Sequence, residues 1–211
     1  MSLKNLLLRT FAFIAIGTGV LFAPATQAQA SKGQYVTIEP AQPSDTTGKT
    51  EVLEFFAYTC SHCNAIEPMV EAWAATLPKN VVLKQVPVAF NASMSDLQKL
   101  YYSLESLGRL DLHKEVFKAI HTENKRIYDA KAITDWVVGK GVDRKAFEDV
   151  FNSFGVQSKV ARANELAKAY NIEGTPSIAV GGKYVTSPSM TNSYEGTITE
   201  AQKLVDMVNA K

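Results

Sequence analysis

Apolar and polar positions follow two different periods along the chain. Positions 52–58 form a nearly continuous apolar run, the pattern of a strand buried on both faces. Glu54 interrupts it, and a carboxyl there is costly unless it is paired, hydrated or functional. From Thr59 the period lengthens: Ile66, Met69, Val70, Trp73 and Leu77 recur at helical spacing, with Thr59 as the predicted N-cap. Pro68 falls inside this helix, where its missing amide hydrogen predicts a kink. Positions 81–88 read as a second strand that carries Lys84 and is closed by Pro87. Strand, helix and strand make a βαβ unit, so the two strands should be parallel and the crossover right-handed.

Positions 90–163 carry no convincing strand. Amphipathic stretches at 94–107, 110–123, 130–139 and 144–153 are separated by Gly108, Asn124 and Gly141, and a longer helix follows at 156–170. The block predicts a helical insertion over 91–163, large enough for a small core of its own. Strands return at 177–180 and 183–186, flanking Gly181-Gly182 as a hairpin turn. A last helix is expected at 199–209, with Thr197 and Glu200 as a capping box. Ahead of all this, 31–50 reads as an extended segment in which 35–38 adds a short edge strand.

The first thirty residues read as a removable leader. Lys4 and Arg9 precede an apolar run at 11–23, Pro24 ends it, and Ala28-Gln29-Ala30 is the small-x-small pattern of a cleavage site. The run is shorter than the roughly 20 residues of a spanning helix. The division expected is therefore a signal peptide at 1–30, one α/β domain from 31–90 and 164–211, and the helical insertion at 91–163. The formal net charge of the 211 residues is +1, and loss of the two leader cations takes it to −1. Such a near-neutral chain offers no field for nucleic acid, which is excluded as a partner class. Hydrophobic residues at 46% and charged residues at 20% are those of an ordinary globular protein.

Export places the two cysteines in an oxidising compartment. Cys60 and Cys63 are the only cysteines, and they lie three positions apart. A bridge between them closes too short a loop to restrain the unfolded chain much, so a functional pair is the better reading. Cys60-Ser61-His62-Cys63 sits where the first strand hands over to the helix. The unpaired amides and positive dipole end of a helix start favour a thiolate, which is the form that attacks disulfides. Cys60, at the first helical position, is the expected attacking sulfur, and Cys63, one turn further in, the resolving one. His62 reads as a surface histidine without a role, as part of a metal site, or as a tuner of Cys60; an imidazole beside the sulfur favours the thiolate, so tuning is the role expected. A metal site at this helix start would lack a suitable ligand set, so no metal is expected, and His113 and His121 read as ordinary surface residues. Thr175-Pro176 opens the third strand. A cis bond there would turn the Thr175 backbone toward Cys60 and let an extended substrate pair with it.

The run Val52, Glu54, Phe55, Phe56, then Cys60-Ser61-His62-Cys63, Glu67, Lys84, the long helical insertion, Gly174-Thr175-Pro176 and Gly182-Lys183-Tyr184 resembles the periplasmic DsbA thiol–disulfide oxidases. The resemblance covers essentially the whole mature chain. It implies a thioredoxin fold with an inserted all-helical domain, a Cys60–Cys63 redox pair needing no other cofactor, and Pro176 as the cis-proline beside it. It also implies that Glu54 and Lys84 form a buried charged pair that handles the Cys63 proton. The implied activity is oxidation of reduced, newly exported polypeptides in a bacterial periplasm, with reoxidation by a membrane DsbB-type quinone reductase. Ser61 stands where the family's best-known dipeptide has proline, and Thr175 where a small aliphatic residue is common. Both substitutions bear on redox strength and substrate release. Two other functions fit the same residues: a reductase or isomerase of the same fold, and a peptide-binding chaperone without redox turnover.

Overall fold

The computed structural model describes residues 33–210, so the leader predicted at 1–30 lies outside the described residues. Strand β1 (Val36–Thr37) is followed by β2 (Thr50–Phe56), helix α1 (Ser61–Ala74) and β3 (Val81–Pro87). Five helices come next: α2 (Ser95–Ser106), α3 (His113–His121), α4 (Ala130–Val138), α5 (Arg144–Phe151) and α6 (Phe154–Ala169). The chain closes with β4 (Ser177–Val180), β5 (Tyr184–Thr186), the single-turn α7 (Pro188–Thr191) and α8 (Tyr194–Asn209). The sheet order is β1-β5-β4-β2-β3. β2 and β3 are parallel, as a crossover helix requires, and every other pairing is antiparallel. This is the expected α/β class.

The buried run in β2 fits its interior place between β4 and β3, with Val52, Phe55 and Phe56 wholly buried. The hairpin between β4 and β5 turns on Gly181 and Gly182 at φ +60° and +73°. At Gly182 any side chain would drive into the carbonyl of Gln42, so the tight turn also holds the segment that leads into the sheet. Pro68 is accommodated inside α1, which runs through it without ending.

One boundary and one expectation about packing differ for a physical reason. The last helix begins at Tyr194, five residues early, because Ser193 Oγ accepts from the Gly196 amide at 2.8 Å and caps it. Thr197 is instead buried and turns its hydroxyl back to the Ser193 carbonyl at 2.8 Å. The helices between β3 and β4 also have no core of their own. Phe56 of β2 meets Tyr101 of α2 at 5.2 Å and Phe117 of α3 at 6.0 Å between ring centroids, and the apolar cluster runs on from there through Ile133 and Phe147. On the other side, Val52, Ile178 and Val180 pack with Trp73 of α1 and with Leu204 and Val205 of α8.

Candidate functional site: a cysteine pair at a helix start

Cys60 leaves the end of β2 in extended conformation (φ −87°, ψ 115°) and is itself the N-cap of α1, where Thr59 had been expected. Its sulfur does what a capping oxygen usually does, accepting from the Cys63 amide at 3.3 Å. The cap is half-buried, while Cys63, on the inner face of the first turn, is fully buried. Both cysteines are free thiols in this structure. Across from them the Thr175–Pro176 bond is cis, and the Cys60 thiol donates to the Thr175 carbonyl at 3.3 Å.

These contacts separate the two thiols. The Cys63 thiol beside it is the largest influence on Cys60, followed by opposing desolvation, then the Thr175 side chain and the amides of Cys63 and His62; together they hold Cys60 down at about 5, from 9.0. Burial, reinforced by the neighbouring Cys60 sulfur, pushes Cys63 far above the ordinary thiol range. The carbonyl of Thr175 can accept only while Cys60 keeps its proton. Once ionised, the sulfur relies on donors alone. Ser61 is exposed in the first turn and His62 exposed beside it. The His62 amide supports the thiolate, whereas its ring is turned to Tyr194, with Nδ1 2.7 Å from the hydroxyl. A groove of about 620 Å³ runs from His62 past Thr175, Pro176 and Met190, with Val36 and Ile172 also on its walls.

The Glu54–Lys84 pair is not formed. In the parallel register Glu54 faces Gln85 and Lys84 faces Leu53. One residue of offset sends a side chain to the opposite face of a sheet, so Lys84 pairs instead with Glu51, at 2.5 Å. Glu54 is completely buried; Oε2 accepts from Gln85 Nε2 at 2.9 Å, and Oε1 has no partner. Desolvation, with the nearby Glu67 carboxylate adding to it, raises Glu54 to about 8.

Sequence reasoning missed the rest of this cluster. His113 is 4% exposed rather than on the surface. Its Nδ1 lies 2.8 Å from the Tyr58 hydroxyl and its Nε2 lies 3.3 Å from Glu67 Oε1 and 3.2 Å from Gln85. The signal was present: His113, Val116, Phe117 and Ile120 share one apolar face of α3. His121 is also tied inward, with Nε2 2.8 Å from the Tyr58 carbonyl. A second cavity, of about 200 Å³, reaches Glu67, Gln85 and His113 from the side of Glu71 and Lys114.

An acidic capping thiol paired with a buried, neutral one is the chemistry of the thioredoxin-type thiol–disulfide oxidoreductases. Comparison with known proteins narrows the class. Residues 51–196 match the DSBA-like thioredoxin domain. The chain is 58% identical to the thiol:disulfide interchange protein DsbA of Bordetella pertussis over 198 residues, covering 93% of this chain and 94% of that one. It is 34% identical to the Pseudomonas aeruginosa protein of the same name over 211 residues, covering 99% and 98%. The crystal structure of Pseudomonas aeruginosa DsbA superposes with a TM-score of 0.81 at 34% identity, over 84% of this chain and 93% of that one. The chain belongs to the DsbA family of disulfide oxidoreductases, and its thiol:disulfide interchange uses the Cys60–Cys63 pair, with no external cofactor.

Proposed function

We propose that the protein donates its disulfide to reduced polypeptides newly exported to a bacterial periplasm, and that a membrane DsbB-type quinone reductase restores it. The leader-like sequence of residues 1–30 supports export, and the observation that carries the direction of transfer is the stabilised Cys60 thiolate. Whatever stabilises that thiolate stabilises the dithiol protein, and so makes its disulfide the stronger oxidant.

In the proposed cycle a substrate thiolate attacks Cys60 Sγ of the Cys60–Cys63 disulfide. The bond between the two cysteines breaks, Cys63 leaves with the electron pair, and a substrate–Cys60 mixed disulfide forms. Cys63 is too basic to remain ionised and takes a proton. Glu54, protonated at neutral pH and next to Glu67, is the proposed source. Glu67 lies four residues beyond Cys63 on the same buried face of α1. A second substrate thiol gives up its proton to solvent and attacks the substrate sulfur of the mixed disulfide. Cys60 departs as a thiolate, the best leaving group available, and the polypeptide carries away the new disulfide. The extended substrate lies in the groove beside Thr175 and Pro176, pairing with the Thr175 backbone. Ser61 and His62 adjust the thiolate from the first turn.

Equilibration with glutathione buffers tests the direction. The expected poise is more oxidising than glutathione; a more reducing one would make the protein a reductase. Cys60→Ala should abolish interchange, while client protection without any cysteine requirement would mark a chaperone instead.

A further inference from the structure

His62 and Tyr194 come from opposite ends of the fold, one in the first turn of α1 and the other opening α8. The Tyr194 hydroxyl is 2.7 Å from His62 Nδ1, and the rings lie 6.2 Å apart between centroids. Nε2 has no hydrogen-bond partner among the described residues, and the imidazole stands on the wall of the groove that also carries Thr175 and Pro176.

A hydroxyl is both donor and acceptor. A phenol O–H is a stronger donor than its ring-conjugated oxygen is an acceptor, so facing a neutral imidazole Tyr194 favours donation to Nδ1, the arrangement that leaves the ring's one hydrogen on Nε2. Facing an imidazolium, the same oxygen accepts from Nδ1–H, and Nε2 again carries a hydrogen. An exposed histidine without such a partner would divide itself between tautomers and rotamers.

We propose that Tyr194 is a positioning residue of the redox site, pinning the His62 ring on the groove wall and biasing it to the Nε2–H form, so that Nε2–H is presented as a donor to the polypeptide bound there. The proposal rests on the reading of that groove as the substrate site. Tyr194 reaches the reacting sulfur only through His62, and its half-buried place at the first position of α8 makes Tyr194→Phe compatible with the fold.

Nitrogen-15 spectra of the His62 ring in the reduced full chain should show the Nε2–H tautomer in large excess when the ring is neutral, and a clearly larger share of the Nδ1–H tautomer in Tyr194→Phe. Disulfide transfer to a cysteine-containing peptide should slow by roughly three- to tenfold in the same variant, the range that loss of one oriented hydrogen bond allows. In a His62→Ala background, Tyr194→Phe should change nothing further. Unchanged tautomers, or an unchanged rate despite mixed tautomers, would overturn the proposal, as would a rate loss that persists without His62. If the groove reading alone were wrong, crowding the groove by Met190→Trp would leave peptide transfer untouched while the Nε2–H excess of the wild-type ring persisted.

Discussion

Acidifying the reduced protein from pH 7 to pH 4 removes a stabilisation that the oxidised protein never has. The Cys60 thiol is held near 5 in the fold and returns to about 9 when the chain unfolds. A group whose folded value is depressed stabilises fully above its unfolded value and loses that contribution as pH falls through the folded one. At pH 7 about two of the four units count, worth about 2.7 kcal/mol at roughly 1.36 kcal/mol per unit. Because the sulfur is only half-buried, solvent screening brings the expected figure to roughly 2 kcal/mol. The same quantity is equivalent to about 40 mV of additional oxidising power for a two-electron couple. Cys63 stays neutral in both states over this range and adds nothing. The assay is urea unfolding of the reduced and oxidised proteins in parallel at pH 7 and pH 4. Carboxylates titrate in both redox forms and cancel in the difference, which isolates the sulfur. The reduced-minus-oxidised stability should shrink by roughly 2 kcal/mol on acidification, and thiolate absorbance should disappear with a midpoint near 5. A change below about 0.5 kcal/mol, with the thiolate forming only above pH 7.5, would refute the reasoning.

Cys63→Ala removes the strongest support of the Cys60 thiolate while leaving the capping amide, so its titration midpoint should rise by about 1 to 2 units, read by pH-dependent alkylation. Glu54→Gln should stabilise both redox forms at pH 8 by an amount on the order of 2 kcal/mol, because the buried carboxyl must either keep a proton or ionise without water. That gain should vanish below pH 4, since a raised folded value costs nothing where the unfolded group is also protonated; equal effects at both pH values would count against it. Lys84→Met breaks only the partly exposed pair with Glu51, so it should cost about 1 kcal/mol or less in urea unfolding and move the redox poise by less than about 10 mV.

The strands, the crossover helix and the chain of helices after β3 were legible because each follows from a local period of apolar residues. The cysteine pair was legible too, since spacing and the strand-to-helix change are local features. What stayed hidden depends on register and depth. Nothing in the local pattern of Glu54 or Lys84 says which residue of β3 lies opposite which residue of β2, and an offset of one exchanged Lys84 for Gln85 as the facing partner. His113 was misjudged as a polar residue although its neighbours at helical spacing were apolar. The caps were missed by a residue or more because serine, threonine and a capping sulfur compete for that place, and only the backbone angles decide.

Because the helix after the first parallel strand is capped by the reactive sulfur itself, electron transfer and secondary structure share one atom. A sulfur holding a full negative charge is a strong acceptor for the Cys63 amide; the same sulfur engaged in a disulfide is a weak one. The leading turn of that helix should therefore tighten on reduction and slacken on oxidation, and deuterium uptake at a single amide would register the protein's electron count.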